Sequence, residues 1–172
     1  MLEQLRALVR AVPDFPVEGI VFRDITPLLG DAAGLALAVE LMVNPWRNDP
    51  PDLIVGTESR GFIFGTALAR ALNRGFVPIR KPGKLPCDSV TVDYELEYGT
   101  DTLEIHRDAI GHGQRVLIVD DLIATGGTLE ASRDLVVAAG GAIAGCSVLI
   151  ELTELCGSQR LQPHTVHSVL QY

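Results

Sequence analysis

The sequence predicts an α/β fold built on a mostly parallel sheet. Three observations carry that expectation. Short apolar runs, LIVG (53–56) and VLIV (116–119), read as buried strands. Stretches of helical periodicity, 61–72 and 127–139, lie between such runs. Their order (strand, helix, strand, helix, strand) is that of βαβ units. With 172 residues, 47% hydrophobic and 21% charged, the chain is long enough for one globular domain with a proper core.

In chain order, Leu2, Leu5, Leu8, Val9 and Val12 recur at helical spacing. They predict a helix over 2–12, ended by the PDFP stretch at Pro13 to Pro16. GIVFRDITPLL (19–29) is expected to run extended or as a loop. Residues 34–43 read as a helix, which NPWRNDPP breaks through Pro45, Pro50 and Pro51. LIVG is a strand and Gly61–Leu72 a helix. GFVPIR (75–80) is a further strand, and Pro78 inside it points to an edge or a bulge. Residues 90–106 suggest two strands joined around EYGTD. Arg115–Val119 is a buried strand, Gly127–Ala139 a helix, AIAGCSVLIEL (142–152) a strand and TVHSVL (165–170) a short last strand. The prolines of 45–51 mark a loop rather than a linker, because neither side is large enough to stand alone.

Charge and composition narrow the function. The net charge is −8, and Lys81 and Lys84 are the only lysines. A nucleic-acid partner would call for a basic stripe, and none is present. Cys87, Cys146 and Cys156 show no metal-type spacing. No signal-peptide pattern and no apolar run of spanning length appear. The expectation is a cytoplasmic protein with no membrane partner.

The chemistry concentrates in VLIVDDLIATGGT (116–128). In a parallel sheet, ligands gather at the carboxyl ends of the strands. There Thr125, Gly126, Gly127 and Thr128 open a helix. Glycine lets backbone N–H groups approach a ligand closely, and the helix N-terminus adds unpaired donors and partial positive charge. This is a phosphate cradle. Asp120 and Asp121 would repel the same phosphate, so they need a partner offering donors or positive charge. Sugar hydroxyls and Mg²⁺ both qualify. An isolated Asp-Asp or Gly-Gly would be no more than turn and cap residues, but the whole string points to a phosphorylated sugar. A Walker A loop is excluded by the lack of lysine near any candidate turn, and the G-x-G-x-x-G fingerprint is absent.

VLIVDDLIATGGT resembles the signature of the type I phosphoribosyltransferases, which bind phosphoribosyl pyrophosphate (PRPP). GIVFRDITPLL, GTESRGFIFG (56–65), RKPGKLP (80–86) and LEYGTDTLEIHRDAI (96–110) extend the resemblance over nearly the whole chain, toward the adenine-specific purine branch. The resemblance implies a single domain over 1–172. Its parallel-sheet core carries helices on both faces, and roughly residues 1–35 form a small hood over the base site. It implies purine salvage: adenine and PRPP give AMP and pyrophosphate, with Mg²⁺ held through PRPP and water rather than directly by the protein, in a cytoplasmic homodimer.

The same resemblance assigns roles by position. Ala124, Thr125, Gly126, Gly127 and Thr128 would hold the 5′-phosphate, and Asp120 and Asp121 the ribose hydroxyls. Glu58, Ser59 and Arg60, with a cis Glu58–Ser59 peptide, and the cluster Arg80, Lys81 and Lys84 would meet the pyrophosphate. Val21, Phe22 and Arg23 would contact the base. Glu97 is the expected general acid/base, and Tyr98 belongs with it to the family's flexible loop. Two other readings remain open. A xanthine or 6-oxopurine enzyme is disfavoured because no lysine follows Lys84 to donate to a purine oxygen. A PRPP-sensing regulator is disfavoured by the missing basic module.

Overall fold

The computed structural model describes residues 1–95 and 99–172, which fall into two compact units, Met1–Leu41 and Met42–Tyr172.

The first unit begins with a short helix, α1 (Leu2–Ala7). The helix expected over 2–12 stops early, because Arg10–Pro13 forms strand β1 and pairs antiparallel with β2 (Val21–Asp24). Pairing gives the backbone of this stretch a partner that periodicity could not reveal, and β-branched Val12 sits opposite Phe22 in the register. Asp14 holds a left-handed conformation and accepts a 2.9 Å hydrogen bond from the Gly19 N–H in the connecting loop. Phe15 meets the Phe22 ring edge-on at 5.2 Å. The expected extended segment after β2 folds instead into helix α2 (Thr26–Gly30), which has Pro27 in its first turn. Helix α3 (Ala32–Val43) follows. Asp31 caps it by accepting the Gly34 N–H at 2.7 Å.

In the second unit a 3-10 turn at Asn44–Trp46 and the proline-rich loop lead to β3 (Leu53–Thr57). Then come α4 (Gly61–Leu72), β4 (Gly75–Ile79), β5 (Ser89–Glu95), β6 (Thr100–His106), β7 (Arg115–Ile123), α5 (Gly127–Ala138), β8 (Ala142–Glu151) and β9 (Val166–Gln171). Five of these strands make one sheet in the order β4-β3-β7-β8-β9, every neighbour parallel. Strands buried on both faces read as continuous apolar runs. Leu53–Val55, Val116–Val119 and Val148–Ile150 fit that rule and are all buried. Pro78 lies in β4, the edge strand, as its missing N–H requires. β5 and β6 form a separate hairpin. It is tied to the chain leaving β4 by reciprocal backbone bonds between Arg80 and Glu104, 2.9 and 2.8 Å long.

The sheet order decides where a ligand can sit. From β3 the chain moves outward to β4, and from β7 it moves the other way to β8 and β9. The reversal between β3 and β7 opens a crevice at their carboxyl ends. β7 extends past its expected end at Val119. β3 pairs with it only as far as Val119, while β8 continues alongside to Ile123. Asp120 and Asp121 therefore belong to a strand with one flank uncovered. Helix α4 starts hard against this strand. A Cβ at Gly61 would lie 2.8 Å from the Val119 carbonyl oxygen and 2.9 Å from Asp120 Oδ1. Gly61→Ala is expected to cost about 1–3 kcal/mol through overpacking, read as a lower urea midpoint. An unchanged midpoint would show that the helix can retreat without loss.

Candidate active site

The crevice holds a cavity of about 420 Å³ lined by Glu58, Ser59, Arg60 and the run Asp120–Leu129. Of the sequence-predicted residues, Glu58, Ser59, Arg60, Asp120, Asp121 and Ala124 to Thr128 thus share one space. The first three leave β3, the acids stand on β7, and the rest open α5.

The loop is shaped for an anion. Gly126 takes φ +86°, a conformation costly for a side chain, and serves as the N-cap of α5. The first N–H groups of the helix have no intrahelical partner, and Gly127, Thr128 and Leu129, which carry them, line the cavity. Ser132 secures the first turn from behind. Its hydroxyl donates to the Thr128 carbonyl at 2.8 Å, which leaves Thr57 as donor in the 3.2 Å contact between the two hydroxyls. The end of β3 and the start of α5 are therefore linked through fully buried groups.

Asp120 and Asp121 are 9% and 4% exposed. Burial pushes the Asp120 carboxyl well above the ordinary carboxylate range, and its charged neighbour Asp121 adds to the effect. Burial also raises Asp121, but the Arg60 guanidinium opposes the shift from 2.8 Å. Asp120 Oδ1 further accepts the Asp121 N–H at 2.9 Å. Two buried acids side by side favour any ligand that brings hydrogen-bond donors or positive charge.

The Glu58–Ser59 peptide is cis, as the family resemblance implies. The Glu58 N–H donates to the Ile79 carbonyl at 3.0 Å. The Glu58 carboxylate accepts from Arg80 Nε at 3.1 Å, from the Lys81 N–H at 2.9 Å and from Lys84 Nζ. Burial works to raise this carboxyl, yet the combined pull of Lys84, the Lys81 N–H and Arg80 holds it down at about 2. The Lys81 ammonium instead meets Asp101 at 2.8 Å, and that pairing raises its pKa. The basic cluster is thus gathered by two acids.

Sequence reasoning passed over Tyr94 and Asp101. The Tyr94 phenol contacts Asp101 at 3.3 Å and also faces the Thr128 side chain of the loop that opens α5. The signal lay in the hairpin register, which sets Tyr94 opposite Asp101. Val21, Phe22 and Arg23 lie on β2 of the N-terminal unit. There Val12, Phe15, Phe22 and Asp24 line a small cavity of about 220 Å³. Glu97 and Tyr98 lie outside the described residues.

Known proteins are similar to this chain over most of its length. The phosphoribosyl transferase domain family matches residues 32–164. An adenine phosphoribosyltransferase of Solibacter usitatus is 54% identical over 171 residues, covering 99% of each chain. The crystal structure of adenine phosphoribosyltransferase from Rhodothermus marinus superposes with a TM-score of 0.94 at 55% identity, covering 99% of this chain and 98% of that one. The Saccharomyces cerevisiae enzyme, complexed with an imino-altritol bisphosphate and adenine, gives a TM-score of 0.91 at 40% identity, covering 98% of both.

The Glu58 cluster has a pH signature. Its folded pKa is about 2 against an ordinary 4.5. The stabilisation is fully present above the ordinary value and is lost as pH falls through the folded one. The gap in melting temperature between wild type and Glu58→Gln should therefore shrink as the pH drops from 4.5 toward 2. A gap that stays constant would mean that the cations do not depress this carboxyl.

Proposed function

The chain belongs to the phosphoribosyltransferase family and, within it, to the adenine phosphoribosyltransferases; from that membership we propose how its residues divide the work of moving a 5-phosphoribosyl group from PRPP to adenine, giving AMP and pyrophosphate. The observation that carries the reading is the single cavity in which a helix N-terminus, a buried Asp pair and Arg60 face one another.

In this reading the backbone N–H groups and hydroxyls of Ala124 to Thr128 take the 5′-phosphate. Asp120 and Asp121 accept hydrogen bonds from the ribose hydroxyls, which supply the donors that two buried acids require. Deprotonation of the pair and ligand binding favour each other, because ionised carboxylates are the better acceptors. Mg²⁺, which keeps much of its water, would be held through PRPP and water beside the Asp pair rather than directly on it. When bound, the ion would supply neutralisation of charge on the phosphoribosyl substrate.

The pyrophosphate falls to Ser59, Arg60, Arg80, Lys81 and Lys84, with Glu58 acting as the organiser of the cations. Charge-assisted bonds of this kind contribute about 1.5–3 kcal/mol each. They count most where negative charge builds on the leaving oxygens. As the bond at ribose C1 breaks, the sugar gains oxocarbenium character and the adenine nitrogen attacks. Val21, Phe22 and Arg23 hold the base, with Phe22 stacking on the ring. Glu97 relays the purine proton. Its loop, with Tyr98, excludes water that would hydrolyse PRPP. We further assign the working form as a homodimer in the cytoplasm, with the N-terminal segment as the hood of the base site.

Incubation with PRPP, Mg²⁺ and adenine, hypoxanthine, guanine or xanthine in turn tests the reading. AMP from adenine is the expected product, and turnover of another base alone would overturn it. Glu97→Gln should reduce kcat by about 10²-fold or more while PRPP still binds. Unchanged turnover would remove the proton-relay role.

A further inference from the structure

The loop that takes the 5′-phosphate rests against a second backbone segment, the 3-10 turn Gly157–Leu161. Gly157 is buried, and it is not among the residues lining the cavity. A Cβ placed on it would run into the Ala124 carbonyl oxygen. The same atom would lie 2.8 Å from the Gly126 nitrogen and 2.9 Å from the Thr125 carbonyl carbon. The contact is reciprocal, since a Cβ on Gly126 would run into the Gly157 carbonyl oxygen. Two stretches of main chain are pressed together with no room for a methyl group on either side.

The turn cannot readily retreat. Arg133 Nη1, on α5, donates to the Arg160 carbonyl at 2.8 Å. Arg160 Nη1 returns to Glu130 Oε2 on the same helix at 2.9 Å. Leu161 is fully buried in the core cluster that includes Leu129 and Leu135. Side chains of α5 therefore hold the turn against the loop from which that helix starts.

We propose that Gly157 is a positioning residue for the 5′-phosphate: its contact with Ala124, Thr125 and Gly126 sets the peptide planes whose N–H groups receive the phosphate oxygens. This rests on the reading of Ala124–Thr128 as the 5′-phosphate loop. That loop contains no lysine, whose flexible stem could follow a displaced phosphate. Apart from the Thr125 and Thr128 hydroxyls, its donors are main-chain groups with fixed directions, so recognition depends on how the loop is braced. A methyl group at residue 157 forces the planes to turn, and a charged acceptor loses alignment with at least one donor.

Calorimetric titration with ribose 5-phosphate and, separately, with pyrophosphate tests this. Gly157→Ala should weaken ribose 5-phosphate by about tenfold, the worth of one charge-assisted bond. Pyrophosphate should change by less than about twofold, a shift well under 1 kcal/mol. Equal losses for both ligands, or no loss for either, would overturn the proposal. The two readings fail differently. If the wild-type protein itself does not bind ribose 5-phosphate, the loop assignment falls and the proposal falls with it. If the wild type binds and Gly157→Ala binds equally well, only the positioning role is lost. Should Gly157→Ala not fold, Arg133→Ala decides, because it releases the turn without adding an atom. The same skew toward ribose 5-phosphate is expected, at about threefold, and a loss shared by both ligands would overturn the proposal.

Discussion

The ion pair between Arg60 and Asp121, 2.8 Å across the gap between the β3 and β7 exits, is the interaction on which the site depends. Asp120 and Asp121 are buried in a strand whose flank β3 has left. Two adjacent carboxylates in such a place resist ionisation. Arg60 supplies the opposing charge, and it can do so only because α4 begins beside the acids. That start requires Gly61, whose missing side chain lets the helix approach the Val119 carbonyl. A strand extension, a glycine and an arginine thus form one constraint: acids ready to receive donors, held by a cation that also faces the ligand space.

The same economy governs the rest of the charge. A chain of net charge −8 can present a basic cluster only by gathering cations locally. Glu58 does this by drawing Arg80 and Lys84 to one carboxylate, and Asp101 holds Lys81. Each cation thereby has a fixed direction before any ligand arrives, which lowers the ordering cost of binding. An anion entering the cluster competes with these acids and need not displace them, since guanidinium and ammonium groups carry several donors each.

Much of this was legible in the sequence, and the parts that were not share a cause. Helix α4 appears over Gly61–Leu72 as read, and β4 and the hairpin lie close to their expected limits, because periodicity and turn residues act locally. Pro78 marked an edge strand correctly. The helix expected over 2–12 failed beyond Ala7, where pairing with β2 outweighed helical spacing. TPLLG was missed as a helix because its signal is a first-turn proline in a very short element. The true end of β7 depends on which neighbour continues alongside it. Tyr94 and Asp101 become partners only through hairpin register. Motif residues were visible because their chemistry is carried by residue type. Their supports were hidden because contact across the fold has no local pattern.

That distinction explains why a loop proposed to hold a phosphate on backbone donors needs so much around it. A lysine-based site can tolerate a displaced loop, since a point charge on a flexible stem adjusts. Backbone donors at a helix N-terminus cannot adjust, and their strength depends on angle as well as distance. The Ala124–Thr128 loop is accordingly fixed on several sides. Ser132 ties the Thr128 carbonyl to Thr57 at the end of β3. Tyr94 of the hairpin faces the Thr128 side chain. Gly157 abuts the peptides of Ala124 to Gly126. Each brace belongs to a different element, so the loop's geometry is a property of the assembled sheet, hairpin and helix rather than of the glycine-rich string alone.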